Sequence, residues 1–484
     1  MAEPVEYGVY QGALRAPFMR LGFLFSMVSR LLTASERRAI SGLAGLYASR
    51  MLGLFMVLPV LALHAGDLAG ATPFLVGVAL GIYGLSQAVL QIPFGQLSDR
   101  IGRKPVIAVG LLLFFLGSAV AAQADSILEI IIGRGLQGCG AVAAAIMALL
   151  ADQTREQVRT AAMATIGLSI GVAFAVAMVL GPLLAAHYGL SGVFWFTAGL
   201  ALLGILVLWK LVPQAPRRLR HRDVGLDRGQ LKSMLKRGDL VRLDISIFSL
   251  HLLLMMIFVA VPVRLAALGV PADQHGWVYL GIMGLAFVAM VPLVIVAEKR
   301  QRMKSMMVLA VAGLTLSLAG MGLMNTGWWS LAALLMVFFT AFNLLEATLP
   351  SMISKLAPAG TKGTAMGVYS TSQFLGAFLG GVLGGALSQQ WGQDAVFFGA
   401  TLVGVLWLGV MYGMPAPRHL SSEVVALDER THEDALETLM QRFAEVAGVE
   451  DVLVVPEERL AYLKVDRKQL DSEALARVAG AQDR

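Results

Sequence analysis

From residue 41 to residue 414 the chain alternates long apolar runs with short polar loops. A membrane-spanning helix needs about 20 apolar residues. The pattern predicts twelve spans, at roughly 41–63, 74–97, 105–124, 127–151, 161–186, 192–212, 244–268, 274–297, 305–324, 329–356, 363–389 and 394–414. They are called the first to the twelfth span below. The two ends of the chain follow other rules. In residues 1–40, Arg15, Arg20, Arg30, Arg37 and Arg38 interleave with Phe18, Leu21, Phe23, Leu24 and Phe25. That is the pattern of a basic amphipathic segment on a membrane surface. A translation start at Met19 or Met27 is the alternative. No small-residue cleavage site follows a short apolar core, so no cleavable signal is expected.

Beyond Pro415 the apolar runs stop. Residues 421–484 are charged, with short alternating patterns. Val424–Leu427 predicts a strand and His432–Ala447 a helix, with Ala435, Leu436, Leu439, Phe443 and Val446 at helical spacing. Val452–Val455 and Ala461–Val465 predict a hairpin, and Ser472–Val478 a second helix. The order β-α-β-β-α suits a small α+β ferredoxin-like domain.

Composition and charge add the setting and the orientation. The chain is 57% apolar and 14% charged, with mean hydropathy +0.72, against roughly 25% charge in soluble domains. Alternate loops differ sharply in Lys and Arg. One set carries Arg100, Arg103 and Lys104, then Arg155 and Arg159, Lys299, Arg300, Arg302 and Lys304, and Lys355 and Lys362. The central loop, Pro213–Arg242, carries nine. The other set carries almost none. The positive-inside rule puts both termini and the central loop in the cytoplasm. The expected organisation is a basic N-terminal segment (1–40), a six-helix bundle (41–212), a linker (213–242), a second six-helix bundle (243–414) and the soluble domain (421–484). The single cysteine, Cys139, leaves no intramolecular disulfide. Without a thiolate pair, the C-terminal domain is not expected to bind metal.

The loop between the second and third spans reads Gly95-Gln-Leu-Ser-Asp99-Arg100-Ile-Gly102-Arg103-Lys-Pro105. Membrane anchoring accounts for its cations but not for Asp99 or the glycines. The loop resembles G-x-L-x-D-R-x-G-R-K, the signature of the major facilitator superfamily. The resemblance implies an all-α fold of twelve transmembrane helices in two six-helix halves. It also implies a gate built on Gly95, Asp99, Arg100, Gly102 and Arg103, with Asp152 as a partner for Arg103. Asp99 would dock on the N-terminus of the eleventh span when the inner gate shuts. The second half carries a degraded copy from Pro292 to Arg302 that keeps charges and loses the glycines.

In that fold the first, fourth, seventh and tenth spans line the central cavity. These spans carry the ionisable residues Arg50, Arg134, Asp244, His251 and Glu346. An ionisable group in hydrocarbon is costly, at about 2.5–3.5 kcal/mol even on insertion scales, so each needs water or a partner. Arg50 and Asp244 also stand where a side chain can reach for the inner surface. Glu346 lies well inside its span and is the expected proton or cation site. His251 reads either as a partner in that site or as a core histidine. Arg134 opens Arg134-Gly-Leu-Gln137-Gly138, which resembles the R-x-x-Q-G motif of proton-coupled members and implies a proton-coupling role. On the fifth span, Gly171, Gly181 and Pro182 partly match the antiporter motif; Ala177 stands where its first glycine falls. Gln87, Gln91, Phe174, Phe258, Phe342 and Asn343 are expected to line the cavity.

The chain is further similar to the YajR type of this superfamily. The likeness rests on the full signature loop, the Met51–Pro59 run and the C-terminal domain. That implies proton-coupled export of small amphipathic compounds across the inner membrane. An uptake symporter and a non-transporting sensor that signals through residues 421–484 are the alternatives. Expected partners are a small-molecule substrate, protons, the lipid bilayer and a regulatory ligand or protein at the C-terminal domain. No enzyme activity, cofactor, metal or nucleic acid is expected: there is no G-x-x-x-x-G-K-[ST] phosphate loop and no nucleophile-base set.

Overall fold

A capping box starts the first helix at Ala34, seven residues before the expected 41. Thr33 Oγ1 accepts from the Glu36 backbone N–H at 3.2 Å, and the Glu36 carboxylate accepts from the Thr33 backbone N–H at 2.9 Å. The computed structural model describes residues 32–214, 234–300, 302–323, 327–357, 361–414, 420–426, 436–455, 460–466 and 469–480. Most of the basic N-terminal segment and most of the central linker therefore lie outside the described residues. The first helix runs Ala34–Met56, and the span resumes as Leu61–His64. Pro59 sits in the break, where it can donate no backbone hydrogen bond.

The second and third spans are Pro73–Ile101 and Arg103–Ala122. The fourth is broken into Ile127–Cys139 and Ala143–Gln153 around Gly140. The fifth and sixth join in one run, Glu156–Lys210. Within it the apolar stretch Ala161–Lys210 has 50 residues, about 75 Å at 1.5 Å per residue, against a hydrocarbon core of about 30 Å. Gly189 resolves this: at φ 64° it turns the chain back between the two spans. Then follow Gly238–Ala267, His275–Lys299, Met303–Leu323, Trp328–Leu356, Lys362–Trp391 and Gln393–Tyr412 as the seventh to twelfth spans. Ten described helices are long and apolar enough to cross a membrane. Counting both legs of the 50-residue run, and adding the glycine-rich Lys362–Trp391, gives the twelve expected. Large side chains such as Leu316 and Leu406 are 71% and 65% exposed, which suits a lipid solvent.

The loop face carrying Arg100, Arg103 and Lys299 is called the basic face. Close approaches between the halves cluster toward the opposite face. A Cβ on Gly77 of the second span would overlap the Gly381 carbonyl oxygen of the eleventh. A Cβ on Gly81 would sit 2.6 Å from the Phe378 carbonyl oxygen, and one on Gly84 2.5 Å from that of Phe374. At the end of this seam the Phe74 N–H donates to Gln389 Oε1 at 3.1 Å. A parallel seam brings Gly276 of the eighth span against Val179 of the fifth. On the fifth span, Gly167 and Gly171 have no neighbour within van der Waals reach.

The C-terminal domain has strands β1 (Leu420–Ala426), β2 (Val449–Val455) and β3 (Leu460–Asp466) in one antiparallel sheet of order β1-β3-β2. Helices Leu436–Ala444 and Ser472–Gly480 complete it. Leu439, Phe443, Val454, Ala461, Leu463 and Val465 form its core. The expected β-α-β-β-α order is present; the hairpin turn 456–459 lies outside the described residues.

Candidate functional site

The signature loop is a compact polar knot. Gly102, at φ 108°, ends the second helix and starts the third, a conformation that L side chains rarely adopt. Gly95 lets the second helix pack on Ala144 of the fourth. Arg103 then folds back over the loop. Its Nη1 donates to Ser98 Oγ at 2.8 Å, its Nε donates to Asp152 Oδ2 at 3.2 Å, and it pairs with Asp99. The Asp152 side chain is 6% exposed and that of Asp99 47%. Arg103 therefore ties the ends of the second, third and fourth spans together, while Asp99 still faces solvent. Arg100 is exposed on the same loop. Nearby, Glu36 accepts from Arg155 Nε at 2.9 Å and Nη2 at 3.0 Å. This bond raises the Arg155 guanidinium pKa above its usual range.

In the first half, two arginines are sealed in the core. Arg50 is 1% exposed and Arg134 0%, so Arg50 does not reach for the surface. Its Nη2 donates to Tyr83 Oη at 2.7 Å and to the Gly140 carbonyl at 3.1 Å. That carbonyl is available because the fourth span breaks there. Arg134 Nη1 donates to Gln137 Oε1 at 3.0 Å, and Gln137 Nε2 to Ser118 Oγ at 2.8 Å. The Arg134 guanidinium lies 5.3 Å from the Tyr83 ring centre. Tyr83 thus stands between the two cations. The R-x-x-Q-G spacing has a direct meaning here, since residues three apart on a helix are neighbours.

The second half holds the acids. His251 Nδ1 lies 3.3 Å from the Ile247 carbonyl, which can only accept, so Nδ1 carries the ring proton. Nε2 then accepts from Gln373 Nε2 at 2.8 Å. The same amide lies 3.4 Å from Glu346 Oε1, and His251 Nε2 is 3.8 Å from Glu346 Oε2. The His251 side chain is 14% exposed and that of Glu346 39%. Glu346 therefore meets neutral partners at its carboxylate, where Oε2 is sealed from solvent without a hydrogen bond, while the rest of the side chain is partly exposed.

On the fifth span Gly181 packs on the backbone of Met56, at the break in the first span, and Pro182 is buried beside it. Gly171 is exposed and apart from this contact. Several expected cavity residues are instead packed. Gln87 is 0% exposed and donates to the Gly138 carbonyl at 2.9 Å. Gln91, Phe258 and Phe342 are also buried; Phe258 packs at tilted ring angles against Tyr279 and Phe339. Helix faces read from one sequence gave no account of which neighbours would cover them. Phe174 and Asn343 are half-buried. Asp244 is partly buried, with Oδ1 sealed from solvent.

Sequence reading missed Gln373, Tyr83 and Glu36. A signal for Glu36 exists: Thr33-x-x-Glu36 has the capping-box spacing. Gln373 and Tyr83 carry no comparable pattern.

Two family models match the chain. The Major Facilitator Superfamily model matches residues 43–380 and 243–446, and the YajR YAM domain model matches 425–477. The chain is 48% identical over 438 residues to the inner membrane transport protein YajR of Escherichia coli (strain K12), covering 90% of this chain and 96% of that one. It is 28% identical over 322 residues to the multidrug resistance protein MdtH of Aeromonas salmonicida (strain A449), covering 66% and 79%. Among solved structures, it is similar to a bacterial homologue of the human lysosomal transporter Spinster in an inward-facing and occupied conformation. The TM-score is 0.66 at 11% identity, over 79% of this chain and 97% of that one. At that identity the likeness shows the fold alone.

Proposed function

The chain belongs to the major facilitator superfamily, as a membrane transporter of the YajR type, and from that premise we propose proton-coupled export of small amphipathic compounds by alternating access. One observation carries the reading. Glu346 sits inside the tenth span, half-exposed, beside neutral His251 and Gln373 rather than a fixed cation. An acid held this way can take up and release a proton as its surroundings change between wet and sealed. The sequence likeness to MdtH supports export.

The loop charges support a cytoplasmic basic face and cytoplasmic termini in the inner membrane. In that orientation the glycine seams form a shut outer gate, and the conformation is inward-facing. Asp99, solvent-facing here, would dock on the N-terminus of the eleventh span when the inner gate closes, and so favour the outward-facing state.

The test is proton movement in proteoliposomes during transport of tetraphenylphosphonium, ethidium and neutral amphiphiles, with wild type beside Glu346→Gln. Protons moving opposite to substrate, lost in the variant, are expected. Movement in the same direction would make the protein a symporter. No coupled flux across the panel would overturn transport of this class and favour signalling through the C-terminal domain.

A further inference from the structure

The seam between the second and eleventh spans ends against the Glu346 site. Its close approaches step along the eleventh span from Gly385 through Gly381 and Phe378 to Phe374, whose carbonyl oxygen would lie 2.5 Å from a Cβ on Gly84. One residue before Phe374, Gln373 donates to His251 and to Glu346. One residue before Gly84, the Tyr83 ring meets the Phe374 ring edge-on, with centroids 6.5 Å apart and planes at 65°, within the range of a favourable aromatic pair. Two consecutive residues of one helix thus serve two places. Gln373 enters the acid site of the second half, and Phe374 crosses to the first half.

Tyr83 is itself anchored. Arg50 of the first span donates to its Oη at 2.7 Å, and the Arg134 guanidinium of the fourth lies 5.3 Å from its ring centre. A Cβ on Gly138 of the fourth span would lie 2.5 Å from the Tyr83 carbonyl oxygen, so the backbone there is pinned too. Phe374 therefore rests on a ring fixed by three spans of the first half. Gln373, for its part, feels the charge on Glu346. Its amide nitrogen has two N–H groups; one goes to His251 Nε2 and the other to Glu346 Oε1. A hydrogen bond to an ionised carboxylate is roughly twice as strong as a neutral one. Proton uptake by Glu346 weakens that bond at the step of the helix that carries Phe374.

We propose that Phe374 and Tyr83 are positioning residues that couple the proton on Glu346 to the seam between the halves. With Glu346 ionised, Gln373 seats Phe374 on Tyr83 and the seam is held shut. With Glu346 protonated, the seat loosens and opening of the seam is favoured. The proton stays on Glu346 throughout; only the contact changes. This rests on the proton-coupled reading. The titratable group facing Glu346 from the seventh span is His251, with Asp244 two turns away. The eleventh span brings the neutral Gln373, with Tyr369 one turn away. The eighth and ninth spans also pack on the tenth, but His275, Tyr279, Glu298, Lys299 and Lys304 lie toward their ends. Arg50 and Arg134 face Tyr83 from the other half.

The experiment follows the seam and the proton together in the full chain in lipid nanodiscs. Spin labels on cysteines placed at Ala69 and Gln390, in a Cys139→Ser background, report the seam. Infrared difference spectra on acidification follow the protonated-carboxyl band that Glu346→Gln removes. Across that titration the ratio of open to shut seam is expected to rise about fivefold in wild type. Phe374→Leu should keep the band and lose the response, and Phe374→Tyr, which keeps a ring on Tyr83, should retain both. Gln373→Met leaves the seam residues intact and should also lose the response, so the outcome does not depend on one variant folding. Glu346→Gln should hold the ratio at its acid value at every pH. A wild-type response in Phe374→Leu overturns the coupling and leaves the Glu346 site standing. So does a wild-type seam that stays still while the band titrates. A response that persists in Glu346→Gln overturns it too, and assigns the effect to His251. A wild type with no such band overturns the proton-coupled reading as well.

Discussion

His251 Nε2 lies 3.8 Å from Glu346 Oε2, and the two side chains come from different spans of the second half. Gln373 from a third span bridges them. Three helices therefore meet at one titratable group, and a change in its charge acts on all three.

Glu346→Gln keeps the shape of this site and removes its proton. Substrate-coupled proton flux is expected to fall by about a hundredfold or more, with little change in the thermal unfolding midpoint. His251→Ala should reduce flux less, because Gln373 can still reach Glu346. A dye-based flux assay on both variants checks the order; equal loss in the two would argue against Glu346 as the central group.

Arg103 bonds Ser98, Asp99 and Asp152. Arg103→Ala should therefore lower stability by about 1–3 kcal/mol, read as a lower unfolding midpoint in detergent. Asp99→Asn should leave stability nearly unchanged and shift the population inward. An aspartate at a helix N-terminus is worth about 0.3–1 kcal/mol exposed and up to about 2 when partly buried, so the ratio of states should change by roughly two- to thirtyfold. Distances between spin labels across the basic face report it directly.

The seam between the second and eleventh spans has no room for a side chain at Gly381. Gly381→Val should force it apart. Overpacking costs about 1–3 kcal/mol, enough to raise the open population of the opposite face about tenfold. Cysteines placed at Phe74 or Gln389, in a chain with its one native cysteine replaced, should label correspondingly faster. Unchanged labelling would mean that the seam is not the gate.

Glu36 caps the first helix and also holds Arg155. Glu36→Ala should destabilise the first half by about 1–2 kcal/mol through the lost carboxylate half of the capping box and the lost bonds from Arg155. Thr33→Ala removes the side-chain half of the box, leaves the bonds from Arg155 and should cost less. The difference between the two unfolding midpoints measures what the tie to Arg155 adds.

The sequence by itself determined the number of spans and the basic face. Hydrocarbon excludes unpaired backbone, so each crossing must be an apolar helix of sufficient length. Gly102 marks where one such helix ends, whereas the breaks at Pro59 and Gly140 fall inside spans read as continuous and came from the structure. The sequence also identified Glu346 and Arg134, because a charge in a long apolar run stands out. The tertiary structure decided the partners. Gln373 and Tyr83 are ordinary polar residues on their own helices; they matter because spans distant in sequence bring them against His251, Glu346 and Arg50. The same packing buried Gln87 and Phe258, expected in the cavity. Which face of a helix is covered depends on its neighbours, and periodicity cannot supply that when the lipid side is as apolar as the core.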